Sequence, residues 1–210
     1  MTETKQIKKT PLYDKHIEAG GKMIDFAGFK LPIQYEGIIA EHNTVREKAG
    51  IFDLTHMGEI QVRGEDAVHF VNHVITNDLE SIEPGGVIYT AICKDNGGVL
   101  DDALVYRMED KVMMVVNAVN LEKIYRWLLK NEWENARVLD LSDKIALIAV
   151  QGPEAEKIVQ GVTPMDLSEM KFSQFKEGKI LDAVGIISRT GYTGEDGFEI
   201  YIGNADAPAV

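Results

Sequence analysis

Cysteine, long apolar runs and positive charge are all scarce in this sequence. Cys93 is the single cysteine among 210 residues, so neither an intrachain disulfide nor a cysteine-based metal site can form within the chain. No apolar run approaches the roughly 20 residues that a membrane-spanning helix needs. The polar residues 1–9 also lack the apolar stretch of a signal peptide. We therefore expect a soluble, cytoplasmic protein that does not interact with membranes.

The charge balance and the missing motifs exclude further classes. The chain has 22 basic and 34 acidic residues, for a net charge of −12, which argues against a nucleic-acid-binding surface. It contains no glycine-rich phosphate loop and no Gly-x-Ser-x-Gly nucleophile motif. His69 and His73 have i,i+4 spacing, but no third metal ligand is evident. We therefore expect no metal and no nucleic-acid partner.

The hydrophobic pattern predicts an α+β fold. Between residues 59 and 140 the apolar spacing changes between periods of two and about 3.6, which predicts strand, helix, three strands, helix and strand. The short turns at 94–98 and 108–111 make the three central strands antiparallel neighbours. Further along, the pattern predicts a strand at 145–150, a helix after Pro153 and a closing strand pair at 183–192 and 197–203.

No linker or repeat marks a sequential domain boundary, so any subdomains must share the core. We expect two interlocked units, each a mainly antiparallel sheet with packed helices. The first is discontinuous and takes residues 1–58 plus 141–210. The second, a ferredoxin-like α+β unit, is inserted between them at residues 59–140.

Two adjacent acids interrupt the predicted strand VLDDALVY. Asp is a poor strand former, and alternation places Asp101 with Val99 and Ala103 on one face and Asp102 with Leu100 on the other. A carboxylate pushed into an apolar environment costs several kcal/mol unless it is paired or hydrogen-bonded. Two interpretations stay open: a functional carboxylate, or one aspartate that caps a bulge beside the Asn96-Gly97-Gly98 turn while the other is solvated.

The segment 189–199 contains three glycines and three acids between two strands. Gly191 and Gly194 would allow the backbone to approach a ligand closely, with Tyr192 between them as a stacking surface. Glu199 lies on the same strand face as Tyr201, and a carboxylate beside aromatic rings suits a flat ligand with adjacent N–H donors. The alternative is an ordinary hairpin loop with Glu199 facing solvent.

Several motifs together closely resemble the T protein of the glycine cleavage system, the aminomethyltransferase family. The family motifs occur in the same order and cover nearly the whole chain. They are LYDKHIEAGGKMIDFAGF (Leu12 to Phe29), VREKAGIFDLTHMGEIQVRG (Val45 to Gly64), TNDL (Thr76 to Leu79), YTAICKDNGGVLDDALVYR (Tyr89 to Arg107), VVNAVN (Val115 to Asn120), ALIAVQGP (Ala146 to Pro153) and SRTGYTGEDGFEIY (Ser188 to Tyr201).

The resemblance implies the folate-binding T-protein fold and a defined reaction. Family members are much longer and add a C-terminal barrel domain, so we expect this chain to be an N-terminal portion without that barrel. The family transfers the methylene carbon of the aminomethyl-lipoyl H protein to tetrahydrofolate. The products are 5,10-methylenetetrahydrofolate, ammonia and the dihydrolipoyl H protein. The implied partner is therefore lipoylated H protein, and the implied co-substrate is tetrahydrofolate.

The resemblance also implies residue roles. Asp102 matches the family's essential carboxylate and is the expected catalytic residue, with Asp101 supporting it from outside the site. Glu199 matches the carboxylate that accepts hydrogen bonds from the pterin. The residues that match the family's other folate contacts are Met57, Tyr89, Asn117 and Tyr192.

The acidic total poses a difficulty, because folate tails and H proteins are acidic too. Basic residues must offset the repulsion, and charge alone suggests Lys5, Lys8, Lys9 and Arg46, which are also ordinary solvated residues by type.

Two alternative functions stay open. The same module is fused to flavin-dependent oxidases of dimethylglycine and sarcosine, although no flavin-binding Rossmann pattern precedes it here. It also occurs in non-enzymatic folate-binding proteins related to iron–sulfur-cluster assembly factors, which typically lack the complete Asp-Asp and Gly-Tyr-Thr-Gly-Glu patterns.

Overall fold

The computed structural model describes residues 7–210, and that range contains five α-helices, thirteen strands and two short 3-10 turns. The helices are α1 (Tyr13–Glu18), α2 (Ile38–Glu47), α3 (Ala67–Val74), α4 (Leu121–Lys130) and α5 (Ala155–Gln160), and the 3-10 turns are Ala118–Asn120 and Ala207–Ala209. The strands are β1 (Lys8–Lys9), β2 (Met23–Phe26), β3 (Phe29–Pro32), β4 (Gly50–Asp53), β5 (Gly58–Arg63), β6 (Val87–Cys93), β7 (Val99–Arg107), β8 (Lys111–Val116), β9 (Arg137–Asp140), β10 (Ile145–Gln151), β11 (Phe175–Ile180), β12 (Ala183–Ser188) and β13 (Gly197–Gly203). The predicted α+β class is confirmed. Within residues 7–210 no helix combines the length and the apolar character needed to cross a bilayer.

The chain divides into two compact units. The first holds the residues up to His56 together with Ile145–Phe172 and Lys176–Val210, and the second holds Met57–Lys144 and Ser173–Phe175. The predicted domains, residues 1–58 plus 141–210 and a ferredoxin-like part inserted at 59–140, stay a prediction.

In the second unit, one antiparallel sheet is covered on one face by α3 and α4. Its strand order is β6-β7-β8-β5-β9. Leu121, Ile124 and Leu128 recur at helical spacing along α4, and they pack with α3 against alternate residues of the strands, such as Ile60 and Val105. Burying each such side chain stabilises the unit by roughly 1.5–3 kcal/mol. The other face of the sheet carries Asp102 and Glu59.

In the first unit, a five-stranded sheet has the order β11-β12-β13-β10-β4, and a three-stranded sheet has the order β1-β3-β2. The nearly continuous apolar strand β10 pairs antiparallel with both β13 and β4. Phe198, Ile200 and Ile202 alternate along β13 and enter the core together with Ile148. Alternation therefore places Glu199 and Tyr201 on the opposite face of β13.

The sequence pattern missed α1 and the short strands β2, β3, β4 and β11. β4 contains Gly50 and Asp53, and β11 contains Gly178 between charged residues, so neither segment has the composition of a strand. Pairing with β10 or with a neighbouring strand supplies what local propensity does not.

Candidate functional site

Asp102 is held by two hydrogen bonds, one from a side chain of the neighbouring strand β6 and one from the residue that follows β8. The Tyr89 hydroxyl donates to Asp102 Oδ2 over 2.7 Å, and Asn117 Nδ2 donates to Asp102 Oδ1 over 2.9 Å. The Tyr89 bond is the largest cause that lowers the pKa of Asp102, and it outweighs the opposing effect of burial. Tyr89, Asp102 and Asn117, here called the Asp102 cluster, thus hold an oriented carboxylate that is charged at neutral pH.

Strand pairing explains why these three residues meet. In β6, Ala91 pairs with Asp102 of β7, and Tyr89 lies two positions away on the same face. Asn117 directly follows β8, which pairs with β7 through Val116 and Ala103. The first pair of β5 and β8 is Gly58 with Val116. Met57, which precedes β5, and Asn117, which follows β8, therefore lie at the same end of the two neighbouring strands. The sheet therefore places Met57 beside the cluster, where it is half-buried.

A β-bulge interrupts the alternation that the sequence predicted for β7, the strand with Asp101 and Asp102. Ile92 pairs with Asp101 whereas Cys93 pairs with Val99, which leaves Leu100 unpaired. Leu100 therefore packs against the core with Ala103 and Val105, although strict alternation predicted the opposite face.

Asp101 has a hydrogen-bond partner of its own. Asn120 Nδ2 donates to Asp101 Oδ2 over 2.7 Å, and Asn120 belongs to the 3-10 turn that directly follows Asn117. One short turn after β8 thus anchors both aspartates, each through a separate asparagine.

Glu199 is buried in the first unit and does not face solvent. It is 6% exposed, and its Oε2 accepts a short hydrogen bond from the Thr190 hydroxyl. Thr190 Oγ1 also lies 2.9 Å from Ser188 Oγ, and both residues are buried. Ser188, Thr190 and Glu199, here called the Glu199 cluster, form a buried polar group on β12, β13 and the loop between these strands. The alternative of a solvent-facing Glu199 is therefore wrong.

Tyr192 lies in the loop between β12 and β13 and is 92% exposed. Two ion pairs hold the loop, one between Arg46 and Glu195 over 2.5 Å and one between Arg189 and Asp196. Gly194 has a φ of +79°, a left-handed conformation that favours glycine. The loop therefore presents an aromatic ring to solvent from a defined backbone.

The predicted site residues thus fall into two groups. Met57, Tyr89, Asp102 and Asn117 belong to the second unit, whereas Tyr192 and Glu199 belong to the first. The contacts described above for the Asp102 cluster and the Glu199 cluster each lie within one unit.

The predicted basic residues have partners within the chain. Lys8 and Lys9 lie over the rings of Phe29 and Tyr13, at 5.6 and 3.9 Å from the ring centroids, and Arg46 pairs with Glu195. Lys5 lies outside the described residues.

His56 belongs to the motif that also contains Met57. Its ring packs edge-on against Phe26 at 5.4 Å between centroids, and burial lowers its pKa more than the nearby Asp53 raises it. His56 is therefore a neutral imidazole at pH 7.

Sequence reasoning missed a buried network around Asp53. His16 Nε2 and the Thr10 hydroxyl contact Asp53 Oδ2 at 2.8 and 2.6 Å, and His16 Nδ1 contacts the Tyr35 hydroxyl at 2.7 Å. Burial raises the pKa of Asp53, but hydrogen bonds from His16, Thr10 and Thr55 outweigh it and lower the pKa overall. The only local signal was an aspartate at the end of the apolar run IFDL.

Sequence reasoning also missed Glu59 of β5. The residue is 0% exposed, and neither of its carboxyl oxygens has a hydrogen-bond partner within residues 7–210. Burial, followed by the charge of Asp140, raises the pKa of Glu59 well above its ordinary value. A glutamate that alternates with the apolar Ile60 and Val62 reads as a solvent-facing residue, so the sequence carried no signal of burial.

The prediction that the chain binds no metal concerns its His, Cys, Asp and Glu side chains. In the described part of the chain, no group of three or more His, Cys, Asp or Glu residues is arranged to hold a metal ion.

The chain matches one family model and several curated proteins along most of its length. The family model for the GCVT N-terminal domain matches residues 12–210. An aminomethyltransferase of Thermosipho melanesiensis is 50% identical over 202 residues, which cover 95% of this chain and 56% of that protein. One from Natranaerobius thermophilus is 51% identical over 197 residues, covering 93% of this chain and 54% of that protein. The chain thus spans about half the length of the curated relatives it matches.

Solved structures give the same result at the level of fold. The glycine cleavage system aminomethyltransferase T from Bartonella henselae superposes with a TM-score of 0.88 at 34% identity, covering 97% of this chain and 55% of that one. The heterotetrameric sarcosine oxidase from Corynebacterium sp. U-96 superposes with a TM-score of 0.64 at 12% identity, covering 97% of this chain and 90% of that one. The second likeness shows the fold alone.

Proposed function

The chain belongs to the GCVT N-terminal domain family, and we propose that it is the folate-binding part of the aminomethyltransferase of the glycine cleavage system. The reaction transfers the methylene carbon of the aminomethyl-lipoyl H protein to tetrahydrofolate in the cytoplasm. The products are 5,10-methylenetetrahydrofolate, ammonia and the dihydrolipoyl H protein. The observation that carries the proposal is the Asp102 carboxylate, which Tyr89 and Asn117 hold charged and oriented.

Asp102 is the proposed catalytic residue. A carboxylate fixed by two donors can orient an attacking amine and stabilise the positive charge that develops as carbon moves from sulfur to nitrogen. Because its hydrogen bonds exist before the substrate arrives, the carboxylate does not need to reorganise during the reaction. Asn117 and Tyr89 each donate one hydrogen bond to Asp102, and Tyr89 is 60% exposed.

The Glu199 cluster and Tyr192 fit the chemistry of a pterin. A carboxylate can accept the adjacent N–H donors of a pterin through its two oxygens, and Glu199 presents such a group in a buried polar cluster with Thr190. The exposed Tyr192 ring and the half-buried Met57 thioether offer flat, polarisable packing surfaces. When bound, tetrahydrofolate supplies the nucleophilic nitrogens that receive the carbon.

The proposal is tested first by calorimetric titration of this chain with 5-formyltetrahydrofolate, a stable reduced folate. We expect saturable binding that Glu199→Gln weakens, because an amide cannot accept both N–H bonds. Absence of binding by folded wild-type chain would contradict the proposal that residues 7–210 hold the pterin contacts.

The catalytic role is tested by transfer from aminomethylated H protein to tetrahydrofolate in a version of the protein as long as its curated relatives. Asp102→Asn should bind folate yet lose transfer. Asp110→Asn is the matched control, because it makes the same change at an exposed carboxylate of the same unit. Near-normal turnover by Asp102→Asn would refute the catalytic role. Folate binding without transfer by the wild type would instead favour a non-enzymatic folate-binding protein.

A further inference from the structure

Gln151, the last residue of β10, links two points of the loop that carries Tyr192. Its side chain is buried, with the residue 1% exposed. Its Nε2 donates to the carbonyl of Thr190 over 3.0 Å, and its Oε1 accepts from the Thr193 hydroxyl over 3.1 Å. One amide therefore spans the loop on both sides of Tyr192.

Two glycines of the loop region make room for this side chain. A Cβ at Gly191 would lie 2.5 Å from Gln151 Cδ, and a Cβ at Gly197 would lie 2.6 Å from the same atom. Gly197 is also the partner of Gln151 in the pairing of β10 with β13. A side chain of the protein itself thus explains why residue 191 is a glycine.

The other restraints on the loop lie further from the ring. Arg46 pairs with Glu195 after Tyr192, and exposed ion pairs add little to stability. Arg189 precedes the loop and Asp196 follows Tyr192, so their ion pair closes the base of the loop. Gln151 bonds Thr190 and Thr193, which lie nearer to Tyr192 on its two sides.

We infer that Gln151 is a positioning residue that holds the Tyr192 ring ready for a flat ligand. An exposed ring on a loose loop must be ordered when a ligand binds, and that ordering weakens affinity. A buried amide that already fixes the backbone on both sides of the ring removes this cost. The inference rests on the proposed function, because it takes Tyr192 as a contact of the folate rings.

The test combines a dynamic measurement with an affinity measurement. We expect Gln151→Ala to increase fast backbone motion of the amides from Thr190 to Gly194, seen by ¹⁵N relaxation, and to weaken 5-formyltetrahydrofolate binding about tenfold. Gln160→Ala is the matched control, because Gln160 Nε2 donates to the carbonyls of Thr163 and Met165 in another loop of the same unit. It should change neither reading.

A second pair of variants decides the matter if Gln151→Ala does not fold. Thr193→Val removes the hydroxyl that donates to Gln151 Oε1, whereas Thr193→Ser keeps it. We expect the valine variant to reproduce both effects in part and the serine variant to restore wild-type behaviour. Unchanged amide order in Gln151→Ala and Thr193→Val would overturn the inference, and so would weaker binding without a change in amide order. Absence of folate binding by the wild type would overturn the proposed function, while the relaxation data would still decide whether Gln151 holds the loop.

Discussion

Replacing Glu59 by glutamine should remove a large part of the pH dependence of stability. Glu59 is fully buried without hydrogen-bond partners for its carboxyl oxygens in the described chain, and its backbone is fixed by bonds of 2.9 Å with Ser142 Oγ and the Leu141 amide. Burial, with a further contribution from Asp140, raises its pKa well above the ordinary value. The folded protein therefore binds a proton here more tightly than the unfolded chain does.

The sign and size of the effect follow from linkage. A glutamate in the unfolded chain has a pKa of about 4.3, so below that pH both states carry the proton and the ionisation of Glu59 does not change the free energy of unfolding. As pH rises from there through the higher folded pKa, the free energy of unfolding falls. The loss is about 1.4 kcal/mol for each unit by which folding raises the pKa. Glu59→Gln cannot ionise, so this loss should disappear.

The assay is urea denaturation of both proteins at intervals between pH 4.5 and 8.5. Fluorescence reports on the right unit, because both tryptophans of the chain, Trp127 and Trp133, lie between Met57 and Lys144. The difference in free energy of unfolding between variant and wild type should grow with pH. The readout is this trend, since the glutamine amide is itself buried without an evident partner and shifts both ends of the curve equally.

The control is Asp140→Asn, made in both backgrounds. Its effect on the pH trend should appear only where Glu59 is present, because Asp140 acts on that trend through the charge of Glu59. Parallel stability curves for wild type and Glu59→Gln across the whole range would refute the reasoning.

Three further predictions concern other parts of the molecule. Asp53→Asn should lower the free energy of unfolding by about 1–3 kcal/mol at neutral pH. Because hydrogen bonds lower the pKa of Asp53 overall, its stabilising contribution should be fully present above about pH 3.9 and should vanish as pH falls through the folded pKa. Measurement of the free energy of unfolding during acid titration would show this loss. Tyr89→Phe should raise the pKa of Asp102, since it removes the largest lowering influence, and an unchanged carboxyl ¹³C titration would contradict the assigned hydrogen bond. Ile60→Ala, at a 0% exposed position, should destabilise the chain by about 2–5 kcal/mol, whereas Ile51→Ala, at 68% exposed, should stay within about 0.5 kcal/mol; equal urea midpoints for the two would show that Ile60 is not in the core.

The strand pattern made much of the second unit predictable. Short turns join β6 to β7 and β7 to β8, so neighbours in sequence became neighbours in the sheet. The change to helical spacing likewise predicted the helix α4. The sequence offered a bulge beside the turn at 94–98 only as one alternative, because a bulge at Leu100 depends on how β6 and β7 meet and not on the residues of β7 alone.

The candidate site shows the same division. The Asp-Asp pair and the glycine-rich loop stood out because each conflicts with the local strand pattern. The resemblance implied Tyr89 and Asn117 as folate contacts, but the strand pattern gave no sign that they donate to Asp102. Gln151, Glu59 and Asp53 gave little or no signal for the same reason.

The sequence by itself determined the α+β class, the family, the alternation of β13 and the choice of Asp102 and Glu199 as candidates, because these depend on local periodicity and on motifs in fixed order. Tertiary structure decided which groups are charged, neutral or held in place. Asp102 acquires its two donors from β6 and from the residue after β8, Glu59 loses its contact with water, and Gln151 enters the space that Gly191 and Gly197 leave open. Burial and hydrogen bonding are properties of chain segments that meet only in the folded protein, so no local pattern can encode them.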